Sequence, residues 1–451
     1  MSTSEEIQAP GLQKALLGRH VEMIAIGGII GAGLFVGSST SIAAAGPAII
    51  ISYAIAGAVI LLVMRMLGEM ATAHPEIGSF TEYSRLSLGN WAGFVSGWLY
   101  WYFWAIVVAI ETIAGSTLLH QWLPVPQWVL ALTLLMTMTV VNLMSTRSYG
   151  EFEFWFASLK VAAILVFIGI AAAAVFGLIA PHGATFTNLW SHGFMPFGVN
   201  SVLAGVTSVI FALCGPEIAT IAAAETPNAA PIISKLTINV AVRIALFYIG
   251  SITLIVCVVP WMSIRSGFSP FTAALQVIHV PFAAEIMTLV VLVAVLSCLN
   301  SGLYVTSRVL FTLSRHGDAP RALVTLNKRA VPARAILFGS LCGYGGVIAS
   351  IISPQTAFAF LVNASGATMI IIYLIITVAQ IRLRRKLEAE SPQRLQVRVW
   401  LFPWLSYATL IAMVAVLVAM ALIPAHQAEF SASVIFAGIV FLCYFALRKR
   451  G

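Results

Sequence analysis

Three ionisable residues sit inside apolar runs that would ordinarily exclude them: Lys160 in WFASLKVAAI, Glu111 in VAIETIAGS and Glu217 in FALCGPE. A charge at the centre of a bilayer costs roughly 2.5 to 3.5 kcal/mol on insertion scales, so each is a functional candidate by default. Lys160 has two readings. It either snorkels to the cytoplasmic surface, about two turns away, or sets its ammonium between the apolar runs near 21–44 and 281–313, around Ser297, where a coupling sodium would sit. An ammonium taken out of water can release and rebind a proton during a cycle. Lys160 and Ser297 then form a candidate proton-coupling site, with Glu111 and Glu217 as further members. Glu111 either faces a cavity, attracting an ammonium or taking a proton, or hydrogen-bonds a neighbouring helix. Glu217 has the same choice, its structural role being to anchor a helix terminus.

Backbone groups can do chemistry too where a helix is interrupted. The stretch AIGGIIGAGLF, residues 25 to 35, carries Gly27, Gly28, Gly31 and Gly33. Each glycine lowers helix stability by roughly 1 kcal/mol relative to Ala, enough to let the chain unwind. The spacing of Gly27 and Gly31 also suits close helix packing. A nucleotide-binding glycine loop is excluded, since it needs a preceding strand and a soluble crossover unit. FALCGPE, residues 211 to 217, supplies a second break. Gly215 interrupts the run, Pro216 fits the first position of a new helix, and Glu217 falls at the positive end of that helix dipole.

Unwound backbone at membrane depth is tolerated only where it faces protein or a water-filled cavity. The half-helix opening at Gly31-Ala32-Gly33 offers unpaired N–H groups that suit a carboxylate, while the carbonyls near Ile26, Gly27, Phe211 and Ala212 suit an ammonium. The candidate substrate-binding residues are Ile26, Gly27, Ile30, Gly31, Ala32 and Gly33 on one break and Phe211, Ala212, Cys214 and Gly215 on the other. A small zwitterionic amino acid is the expected ligand. Phe211 is either a lid over its aliphatic part or a core phenylalanine.

The elements that position these residues follow from composition. The chain is 60% hydrophobic and 9% charged, with a mean hydropathy of +0.98, outside the range of soluble domains. The apolar runs are too long and too weakly alternating for barrel strands, so an all-α integral membrane protein is expected. Twelve transmembrane helices are predicted near 21–44, 48–72, 91–119, 127–145, 154–180, 198–224, 238–262, 281–313, 335–353, 357–381, 400–423 and 431–447, numbered spans 1 to 12. Spans 1 and 6 lie five apart and run in opposite directions. Two discontinuous helices in matching places of inverted halves point to the substrate site of a secondary transporter. The expected organisation is a tail (1–20), a first five-helix repeat (21–180), a second, inverted one (198–381), two additional spans (400–447) and a short tail (448–451). Of 24 Lys and Arg residues only Arg265 would face outside, which places both termini in the cytoplasm. The polar first 20 residues do not suggest a cleavable signal peptide.

Other classes are disfavoured. The +8 net charge follows from the loop bias of topology alone and calls for no nucleic acid. Cys214, Cys257, Cys298, Cys342 and Cys443 fall within spans without a CxxC pair or zinc-ligand spacing, so neither disulfide nor metal is expected. Arg65 with Glu69, and Glu225, are expected to form interfacial pairs that fix loops. No Ser/His/Asp set or cofactor motif marks an enzyme, and no soluble domain marks a sensor. No cofactor and no obligatory protein partner are expected.

Five segments carry a family resemblance: GGIIGAGLFVGS (27–38), MRMLGEMA (64–71), SYGEFEFWFASLK (148–160), GPEIATIAAAE (215–225) and LNSGLYVTSRVLFTLSRHGDAP (299–320). Over nearly its whole length the chain resembles bacterial amino acid permeases of the amino acid-polyamine-organocation superfamily, and within it the gamma-aminobutyrate permeases of the amino acid transporter family. The resemblance implies the inverted-repeat fold of the bacterial leucine transporter, with 5+5 core helices plus two, and proton-coupled uptake across the inner membrane. It also implies carboxylate binding at Gly31, Ala32 and Gly33. Phe211 and Glu217 match the family's sixth-span aromatic and acidic positions, and Lys160 its fifth-span lysine of sodium-independent proton coupling. One departure is Cys214-Gly215-Pro216, where Met-Gly-Ala is expected in a gamma-aminobutyrate permease.

Overall fold

The computed structural model describes residues 23, 30–75, 77, 79–144, 146–179, 184–218, 237–327 and 331–448, and every regular element among them is helical. Among these residues nine helical stretches are long and apolar enough to cross a membrane, and two shorter apolar helices, Gly198–Leu213 and Ala333–Ile348, accompany them. The longest, Gly33–Ala73, turns a corner at Gly46–Ala48. Pro47 opens the next turn there, where it forfeits no helical hydrogen bond.

Two long helices form the centre. Span 3, Asn90–His120, and span 8, Ala283–Arg315, have 83% and 78% of their apolar windows buried, against 28% for Trp404–Leu422 and 17% for Pro424–Leu447. The outer helices instead turn side chains such as Phe176, Ile352 and Leu442 outward, as lipid-facing surfaces require. Trp104, Tyr100 and Phe103 of span 3 are fully enclosed in the same core as Val291, Val295 and Tyr304 of span 8. This pair is the scaffold against which both breaks are set.

Span 5 begins earlier than its hydropathy suggested. Its helix runs Thr146–Val175, so Lys160 lies about four turns inside it rather than two. Lys160 is fully buried and does not snorkel. Arg65 and Glu69 of span 2 also depart from expectation: they do not pair with each other. Glu69 bonds Arg384, Gln380 and the backbone of Val399, while Arg65 donates to the Arg398 carbonyl and lies over the Trp400 ring. Both do fasten the 391–403 connection. Glu225 lies outside the described residues.

Candidate functional site

The first break is visible from Ile30 onward; Ile26 and Gly27 lie outside the described residues. Ile30 and Gly31 are non-helical, the helix starts at Ala32, and a π-helical stretch, Gly33–Gly37, leads into Ser38–Ala45. The Ala32 N–H is engaged: it donates to Glu111 Oε1 at 3.0 Å and Oε2 at 3.1 Å. Glu111 therefore sits on the donor side of the break, its carboxylate in the place foreseen for a ligand's. Gly31 makes this possible, since a Cβ there would lie 2.6 Å from both Glu111 Oε1 and Cys298 Cβ. A side chain at this position would force the carboxylate or span 8 away.

The second break follows the helix Gly198–Leu213. Cys214 is extended and Gly215 has φ +109, a conformation that disfavours any side chain. The Gly215 N–H donates to both oxygens of Glu217 at 3.0 Å, and the Tyr373 hydroxyl of span 10 donates to Oε2 at 3.2 Å. Pro216 and Glu217 form a turn, with only Ile218 of the following segment described as helical. The Glu217 carboxylate thus clasps the turn from which it projects. Arg243 of span 7, 1% exposed, donates from Nη2 to the Leu213 carbonyl at 2.9 Å, neutralising the negative end of the incoming half-helix. The Phe211 carbonyl accepts from Cys214 Sγ at 3.1 Å.

The two breaks touch. A Cβ at Gly33 would lie 2.8 Å from Ala212 Cα and 3.1 Å from Phe211 Cε1, so glycine lets the backbones close on one another. Phe211, Ala212 and Cys214 are all buried.

Beside them, Lys160 Nζ donates to Ser297 Oγ at 2.8 Å. Ser297 in turn donates to Glu153 Oε1 at 2.6 Å, and Lys160 Nζ stands 3.6 Å from that same oxygen. All three side chains are fully buried. Burying an ion pair is tolerable only where hydrogen bonds satisfy the remaining polar groups, and Ser297 supplies one to each partner.

Sequence reasoning brought Lys160 to Ser297 but missed Glu153, Arg243 and Tyr373. Glu153 had a signal: it lies seven residues, close to two helical turns, before Lys160 and so on the same face. Hydropathy begins the span at 154 and so leaves Glu153 just outside it. Arg243 and Tyr373 are single polar residues whose partners lie on other spans, and no spacing announces such contacts.

A family model described as amino acid permease matches residues 20–449. A gamma-aminobutyric acid permease of Bacillus subtilis (strain 168) is 46% identical over 444 residues, covering 98% of this chain and 94% of that protein. A gamma-aminobutyric acid permease of Escherichia coli (strain K12) is 42% identical, covering 92% of this chain and 90% of its own length. The aromatic amino acid transport protein AroP of Corynebacterium glutamicum is 38% identical, with 96% and 95% covered.

Proposed function

The chain belongs to the amino acid permease family, and on that premise we propose that it is a proton-coupled importer of a small zwitterionic amino acid, gamma-aminobutyrate or a close analogue. Twelve spans in a 5+5 inverted repeat with two additional helices would carry the solute by alternating access across the bacterial inner membrane, both termini in the cytoplasm. Protons are the coupling ion; no other cofactor enters the scheme.

One observation carries the reading. The first-span break holds a carboxylate in bidentate contact with the Ala32 N–H, and that carboxylate is the protein's own Glu111. A backbone N–H that donates to the Glu111 carboxylate would donate to the carboxylate of an amino acid by the same geometry. The ammonium end would meet the carbonyls of the second break, near Ala212. The tight approach of Phe211 and Ala212 to Gly33 favours a slim, unbranched solute over an aromatic one. The coupling residues would be Lys160 and Ser297, with Glu111 and Glu217 available to exchange protons as the two breaks open. Moving one proton with a zwitterion gains about 2.3 kcal/mol per 100 mV of membrane potential, which is enough to concentrate the solute.

Uptake of labelled gamma-aminobutyrate into energised proteoliposomes tests this. Accumulation without internal solute that collapses with a protonophore is the expected result. Uptake that occurs only against preloaded amino acid would make the protein an exchanger. Saturable binding with no flux would make it a sensor. Competition by a panel of amino acids, with phenylalanine and tyrosine as the aromatic arm, identifies the solute.

A further inference from the structure

We infer that the coupling unit is a carboxylate–hydroxyl–amine relay in which Glu153 is the proton-accepting partner of Lys160, with Ser297 as the bridge. The inference rests on the proton-coupled reading above and adds a positioning residue that neither the glycine breaks nor the family resemblance singled out.

The geometry is that of a closed chain. Glu153 and Lys160 project from the same face of span 5, and Ser297 of span 8 stands between them at 2.6 Å and 2.8 Å. Both charged side chains have no exposed surface. The second oxygen of Glu153 is buried without a hydrogen bond of ordinary geometry. Among the described residues, the other titratable groups acting on this cluster are Glu111 from span 3 and Cys298 from span 8.

A buried lysine cannot simply discharge beside such a partner. Losing the Lys160 proton to water would leave Glu153 an uncompensated anion in a dry interior. Transfer within the chain avoids it. The Nζ–H bond of Lys160 breaks and its proton passes to Ser297 Oγ, while the Ser297 hydroxyl proton passes to Glu153 Oε1. Serine is unchanged, lysine and glutamic acid both become neutral, and no net charge appears. The neutral pair no longer holds span 5 to span 8 electrostatically, so the same internal transfer that neutralises both residues also loosens the contact from which a proton is then exchanged with solvent.

The experiment compares accumulation ratio and the pH profile of initial uptake in proteoliposomes for the full chain and four variants. Glu153→Gln keeps volume and can still accept from Ser297 but cannot take up the proton. It should lower accumulation at least tenfold and flatten the pH profile, and Glu153→Asp should restore part of both. Ser297→Ala, which removes only the bridge, should lower accumulation severalfold, and it decides the matter if the Gln variant does not reach the membrane. A Gln or Ala variant with wild-type accumulation and profile overturns the inference. Lys160→Ala separates the two levels. Coupled wild type, uncoupled Lys160→Ala and fully coupled Glu153→Gln refute the Glu153 role alone, whereas a wild type without protonophore-sensitive accumulation refutes the coupling reading and this inference with it.

Discussion

Glu111 accepts the Ala32 N–H through both carboxylate oxygens, at 3.0 and 3.1 Å. A span-3 side chain therefore fills the donor position that the first-span glycines open. On the proposed function the incoming solute and Glu111 compete for one N–H, so binding displaces a buried carboxyl group that must find a new partner. Once ionised, Glu111 holds that N–H roughly twice as strongly as a neutral acceptor would. Glu111→Gln should therefore be the weaker competitor, tightening equilibrium binding of a zwitterion by about fivefold, or about 1 kcal/mol, while slowing pH-dependent turnover. Titration calorimetry on purified protein reads the first effect and uptake across a pH series the second. Weaker binding with an unaltered pH profile would mean that Glu111 serves only to pack.

The contact between the two breaks sets a steric test. A methyl at Gly33 would press on Ala212 Cα at 2.8 Å, and backbone cannot rotate out of the way as a side chain can. Overpacking of this kind costs about 1 to 3 kcal/mol. Gly33→Ala should cut uptake by about tenfold or more in protein that still reaches the membrane, with Phe211→Leu in the same chain recovering none of it because the nearer obstacle is backbone. Near-normal transport by Gly33→Ala would show that the breaks do not close on one another during the cycle.

How far the sequence carried these conclusions differs from element to element. The interruption at Gly215 was legible because Gly-Pro cannot continue a helix, and the structure has Gly215 at φ +109. Lys160 was legible as a single ammonium in an apolar run. The side of the site on which Glu111 lies was not, because a residue's azimuth on a helix says nothing about the depth of its partner on another. The partners of Glu69 were equally hidden: Gln380, Arg384 and Val399 lie more than 300 positions away in the chain. Hydropathy also placed the start of span 5 at 154 instead of Thr146, because Glu151 and Glu153 lowered the local average. That is how a buried carboxylate came to look like loop.

Glu69 and Arg384 form a buried pair at 2.5 Å, 2% and 6% exposed, and Glu69 also receives Gln380 Nε2 at 2.8 Å and the Val399 N–H at 2.6 Å. Removing Glu69 leaves Arg384 with the exposed Glu388 at 2.7 Å, and breaking a buried pair from one side costs up to about 3 to 5 kcal/mol. Glu69→Ala should therefore lower the melting temperature of the detergent-purified protein markedly. Replacing both, as Glu69→Met with Arg384→Leu, should recover most of the loss, since the pair's desolvation is removed together with its attraction. A double variant no more stable than the single one would show that the Gln380 and Val399 contacts, not the charge pair, hold span 2 to span 10 and the connection that follows it.

A second ionic cluster ties the short helix Phe80–Leu88 to the end of span 8, and it titrates. Arg85 bridges Asp318 at 2.5 Å and Glu82 at 3.4 Å, and Trp98 Nε1 donates to the Asp318 carbonyl at 3.1 Å. His316 Nε2 lies 3.2 Å from Glu82 Oε2 while its Nδ1 lies 2.9 Å from the Thr312 carbonyl. Both neighbours are acceptors, so the ring is fully satisfied only when it carries a proton on each nitrogen. The hydrogen bond to Glu82 accordingly raises the His316 pKa against the opposing effect of partial burial. Burial pushes the Glu82 carboxyl up, but the hydrogen bond and charge of His316, with those of Arg85, outweigh it and leave the group below the usual carboxylate range. The signs give a window. The histidine's contribution is complete below its ordinary pKa and is lost as pH rises through the raised one; the glutamate's is present above the ordinary carboxylate pKa and is lost as pH falls through the lowered one. The latch is therefore tightest at mildly acidic pH, between the two ordinary pKa values. Hydrogen exchange at residues 80–88 should show protection that declines on the alkaline side, and His316→Ala should remove that decline while Arg85 and Asp318 still hold the helix. Protection that falls with pH equally in both proteins would assign the change to another group.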